Sequence, residues 1–79
     1  MKSKKDIIKE YYVNAKEIKT LLGISYEKAK IIFDVVDQKE NEKIFRAHER
    51  KVPLAEALNV ADVNYWFLKS QVEGEDERW

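Results

Sequence analysis

Seventy-nine residues make one small domain whose core holds few side chains, and a deep enzyme pocket is not expected. With no cysteine and a single histidine, His48, the chain has neither disulfides nor thiolate metal ligands, and His48 lacks a partner at metal-ligand spacing. The formal net charge is zero, yet residues 1–33 carry eight lysines against four acids while the rest carries seven basic and eleven acidic residues. A local positive surface is enough to release phosphate counterions, so overall neutrality sets an expectation of modest, salt-sensitive affinity for nucleic acid and does not exclude binding.

Along the chain, Lys2 to Tyr12 is expected to form a first helix, because Ile7, Ile8, Tyr11 and Tyr12 are spaced to make one apolar stripe. Asn14 is a favourable N-cap and Glu17, three residues later, approximates a capping box, opening a helix from Ala15 to about Leu22 that buries Ile18, Leu21 and Leu22. Gly23 stands where a left-handed residue would end that helix. Ser25 caps the next one, with Glu27 favoured in its first turn by the helix dipole. This second helix runs from Tyr26 to roughly Gln38, and Ala29, Ile32, Phe33 and Val36 face the core at three- and four-residue steps. Two helices joined by a short glycine-containing turn are the signature of a helix-turn-helix, whose second helix enters the major groove of DNA.

Gln38 to Lys43 is polar and reads as a loop or a helix tail. Ile44 to Val52 fits a small β-hairpin around His48-Glu49, although Ile44, Ala47 and His48 also fit a helical face. Pro53 suits the first position of a helix over Leu54 to Leu58. Asn59 or Asp62 then starts a final helix, about Val63 to Val72, carrying more apolar surface than one stripe requires. The fold expected is mainly α: a helix-turn-helix domain over residues 1–72, winged by a hairpin at about 44–52, with a C-terminal helix. Residues 73–79 form an acidic tail expected to be disordered. No apolar run approaches a membrane span, and Met-Lys-Ser-Lys-Lys is followed by Asp6 rather than a signal-peptide core, so a cytoplasmic location is expected.

Tyr12-Val13-Asn14-Ala15-Lys16-Glu17-Ile18, Leu22-Gly23-Ile24-Ser25, Ala29-Lys30-Ile31-Ile32 and Arg50-Lys51-Val52-Pro53 together resemble the small excisionase-like and MerR-like winged helix-turn-helix proteins of Gram-positive phages and integrative elements. The resemblance covers about residues 11–58. It implies binding to double-stranded DNA in excision, replication or repression, with Ser25, Tyr26, Lys28 and Lys30 as recognition-helix contacts and Arg46, Arg50 and Lys51 on the wing.

Each of these residues also has a plain structural role open to it. An exposed helical lysine is most often only solvated, Ser25 is a cap in any case, and Tyr26 can simply cover the core edge. A domain this small does not readily bury Tyr65, Trp66, Phe67 and Leu68 together, which marks that cluster as a dimer or partner contact. No nucleophilic triad, phosphate-cradling loop or metal cluster is present, and Asp34 and Asp37 have no accompanying ligands, so neither catalysis nor a cofactor is expected. The leading expectation is a sequence-specific DNA-binding protein. The competing one is a phage-type adaptor or inhibitor that engages a host protein through its aromatic last helix or acidic surface, consistent with zero net charge and with Glu27 in the turn facing DNA.

Overall fold

Asn14 and Gly23 make opposite demands on the backbone, and between them they set the limits of one helix. The computed structural model describes residues 3–45 and 50–74. Asn14 is extended and its side chain accepts from the Glu17 N–H at 2.9 Å, while the Glu17 carboxylate accepts from the Asn14 N–H at 3.0 Å. This reciprocal box satisfies two donors that a helix start otherwise leaves open. Gly23 adopts φ 65°, ψ 35°, and its N–H and that of Ile24 both donate to the Lys19 carbonyl, at 2.9 and 3.3 Å. The helix so bounded is α2 (Ala15–Leu22), with Ala15, Ile18 and Leu21 buried and Leu22 packed beside them.

Ser25 starts α3 (Tyr26–Asn41), its hydroxyl accepting from the Lys28 N–H at 3.3 Å. Ala29 and Val36 are fully buried and Ile32 and Phe33 pack against the core. The absence of bulk at Ala29 suits the close packing of α2 against α3. This helix continues three residues past the expected Gln38. Glu40 falls on the same stripe as Ala29, Phe33 and Val36, and it is buried because Lys43 bonds its carboxylate. That hydrogen bond is the first reason the Lys43 ammonium is held above its ordinary value of 10.5.

The N-terminus differs from the expected long helix. A Ser3–Asp6 capping box starts α1 (Lys4–Ile7), which ends in a turn, with Lys9 N–H donating to Asp6 and Glu10 N–H to Ile7. Tyr12 and Val13 form β1 (Tyr12–Val13) and pair antiparallel with β2 (Val52–Pro53), Tyr12 opposite Pro53 and Val13 opposite Val52. The pairing takes the backbone groups that a continued helix would need, and it splits the apolar stripe. Ile7 and Ile8 are buried, Tyr12 is half-buried and Tyr11 is exposed.

The chain is therefore mainly helical with a two-stranded antiparallel sheet and a C-terminal helix, as expected, but the strands lie elsewhere. Of the stretch expected to form a hairpin, only Val52 is in a strand. Residues 44, 45, 50 and 51 are not, and 46–49 lie outside the described residues. The strand partner is distant in sequence, and hairpin turn signals carry no information about distant partners.

Pro53 belongs to β2 and precedes α4 (Leu54–Val60), whose Leu54, Ala57 and Leu58 are buried. Asp62, at φ 59°, ends α4, and the pair Val63 N–H to Leu58 carbonyl and Asp62 N–H to Asn59 carbonyl completes a Schellman closure. Neither Asn59 nor Asp62 starts the last helix. Asn64 does, its side chain accepting from the Phe67 N–H at 3.0 Å, so α5 is Tyr65–Gly74. Glu73 and Gly74 thus belong to a helix rather than to a tail, and 75–79 lie outside the described residues.

A Cβ added at Gly23 would meet no atom within 4 Å, so substitution there tests the backbone alone. Gly23→Ala is expected to lower stability by about 1–2 kcal/mol through the left-handed conformation, and Gly23→Asn by less, read as the shift in thermal midpoint by circular dichroism. An Ala variant as stable as the original would mean that the left-handed turn is not required.

Candidate nucleic-acid interface

The first two turns of α3 leave the domain with an exposed rim, and its residues differ in how much of their chemistry is already engaged. The Ser25 hydroxyl is used in capping, and Tyr26, Glu27 and Lys28 are exposed beside it. The Lys28 side chain has no ion pair among the described residues. Lys30, two residues further on and on the other flank of α3, bonds Asp34 at 2.8 Å and lies 5.2 Å from the centre of the Phe33 ring. Its ammonium is held above the ordinary lysine value, first by the hydrogen bond to Asp34 and with burial acting the other way. Lys30 therefore keeps its charge, but a carboxylate compensates it locally.

The basic residues expected on a wing are not placed together. Arg50 is exposed. Lys51 approaches Glu17 at 4.0 Å, so it stands over the first turn of α2 beside the capping box. Arg46, like His48, lies outside the described residues. Ser25, Tyr26, Lys28 and Lys30 are thus gathered at one end of one helix, while Lys51 is drawn to the neighbouring helix.

Two residues on α3 escaped the sequence reading. Ile31 is 63% exposed and Val35 39%. A signal was available: Ala29, Ile32, Phe33 and Val36 already complete the core-facing stripe, so a further aliphatic pair four residues apart must point away from it.

The C-terminal cluster is divided by the fold. Tyr65 and Leu68 pack against the core, and the Tyr65 hydroxyl donates to the Ile8 carbonyl at 3.3 Å. Trp66 and Phe67 are exposed, at 70% and 62%. Lys69 lies 5.5 Å from the Trp66 ring and pairs with Glu73 at 3.9 Å. Of four consecutive apolar residues on a helix with one buried face, the first and fourth share that face, so the middle two are left outside.

Among the described residues there is no group of three or more His, Cys, Asp or Glu side chains able to hold a metal ion, and no helix is long and apolar enough to cross a membrane. Comparison of the chain with known protein families, curated proteins and solved structures finds no match.

The division of the aromatic cluster has a direct consequence for stability. Tyr65→Phe is expected to cost about 0.5–1.5 kcal/mol by leaving the Ile8 carbonyl without this donor, whereas Trp66→Ser should stay within about 0.5 kcal/mol. Urea denaturation of both variants checks this. A Trp66→Ser loss as large as that of a core substitution would place the ring inside.

Proposed function

We propose that this protein is a small sequence-specific binder of double-stranded DNA, of the excisionase-like or MerR-like winged helix-turn-helix kind, acting in the cytoplasm as a regulator or excision factor of a phage or mobile element. The observation that carries the reading is the α2–turn–α3 unit closed by left-handed Gly23, which leaves the N-terminal turns of α3 exposed with Ser25, Tyr26, Lys28 and Lys30 on them. Recognition helices present this end to base edges and phosphates. The order of elements supports the winged variant, since a strand precedes the helix pair, another follows it, and the two are joined.

In this reading α3 docks in the major groove. Lys28 and Lys30 neutralise phosphates, Arg50 reaches the adjacent backbone, and Tyr26 contacts the groove edge. Lys51 contributes less, because Glu17 already holds it. Asp34 opposes binding by holding Lys30.

A second reading rests on Trp66 and Phe67, whose exposure on α5 suits a homodimer or an adaptor that engages a host protein. The DNA reading is preferred because it accounts for the cations and the helix pair together.

Fluorescence anisotropy against duplex DNA over a salt series separates the two. The Lys28→Ala, Lys30→Ala double variant is expected to bind more weakly, with a salt slope shallower by about 1–2, and Asp34→Asn is expected to bind more tightly by freeing Lys30. Unchanged affinity and slope in the double variant would overturn the assignment. Complete absence of even non-specific binding at low salt would favour the adaptor.

A further inference from the structure

The outward face of α3 is not uniformly polar. With about 100° of rotation per residue, Ala29 and Val36 define the inward direction, and Glu27, Ile31, Asp34 and Gln38 form the ridge on the opposite side, with Val35 turned toward the Lys28 flank. Lys28 and Lys30, two residues apart, project to opposite flanks of this ridge. A ridge whose one large apolar side chain, Ile31, stands between a cation on either side suits the major groove, where a floor of base edges lies between two phosphate walls. Ile31 and Val35 do no work in the core: Ile31 is 63% exposed although a fully buried alanine and valine flank it on the helix. Ile31 and Val35, one turn apart, are the exposed aliphatic pair of this helix.

Within a major groove the apolar group available to an aliphatic side chain is the C5-methyl of thymine. Guanine is read by arginine or lysine, and α3 has no arginine while Lys28 and Lys30 stand on the flanks of the ridge rather than on it. We infer that Ile31 is a specificity-determining residue that selects a thymine through its methyl group, with Glu27 one turn earlier on the same ridge placed to accept from the exocyclic amine of a neighbouring cytosine. This rests on the DNA-binding reading and adds to it the chemistry of the site. The duplex preferred by this protein carries a thymine beneath the centre of α3, and the glutamate that would repel phosphate serves instead on a base.

The test is made on the full chain. A preferred duplex is selected from a randomised pool, and each thymine in it is replaced in turn by deoxyuridine, which lacks only the methyl. At one position the replacement is expected to weaken binding about fourfold, the worth of one buried methyl group. The Ile31→Ala variant is expected to bind thymine and deoxyuridine there alike, and Ile31→Val to retain part of the discrimination. Ile31 is exposed, so these variants keep the fold, which their thermal transitions verify. Selection of a preferred duplex in which no thymine replacement separates the original from Ile31→Ala would overturn this inference and leave DNA binding standing. Failure to select any duplex, with no binding at low salt, would overturn both.

Discussion

The two-residue pairing of β1 with β2 is the contact on which the arrangement of the other elements depends. It joins Tyr12–Val13 to Val52–Pro53, so everything from residue 14 to residue 51, including the whole helix pair, is a loop closed by that pairing. Closing a long loop costs entropy, and so short a ladder recovers little by hydrogen bonds alone. Burial supplies the rest: Val13 and Val52 are fully buried, with Leu54 and Ile18 in the same core. The Leu54 N–H, donating to the Tyr11 carbonyl at 2.7 Å, extends the tie into the first residue of α4. The same pairing aims Asn14 into its cap.

Two buried carboxylates show how the domain tolerates charge in so small a core. Glu17 is held by the Asn14 N–H with Lys51 nearby, and Glu40 is bonded by Lys43. An uncompensated carboxylate at either place would be strongly unfavourable. Both residues finish a structural task, one starting α2 and the other prolonging α3. The cations that serve them, Lys51 and Lys43, are correspondingly less available to an external anion. A count of positive residues therefore overstates the surface that can meet phosphate, and Lys28, with no ion pair among the described residues, carries more weight than its neighbours.

Much of the central unit was legible from local chemistry. Asn14 with Glu17, Gly23 and Ser25 act on backbone groups within four residues of themselves, so their effect does not wait on the rest of the fold. The same holds for the inward stripe of α3. Glu40 hid the true length of that helix because a carboxylate at a core position looks like the end of an apolar pattern until its partner is seen. Of the candidate site, the placement of Ser25, Tyr26, Lys28 and Lys30 on one helix end followed from periodicity. The Lys30–Asp34 pair, four residues apart on one helix, follows from the same periodicity, whereas the approach of Lys51 to Glu17 does not, since the two residues are distant in the chain.

The sequence by itself determined the caps, the left-handed turn and the helix pair they bound, because those are interactions between near neighbours whose geometry each residue type dictates. Tertiary structure decided the rest. It drew Tyr12 and Val13 out of a helix and into a strand, because a partner at Val52–Pro53 buried two valines that no local conformation could cover. It also decided which half of Tyr65 to Leu68 faces inward, since a helix can bury one side only and the choice of side belongs to whatever it packs against.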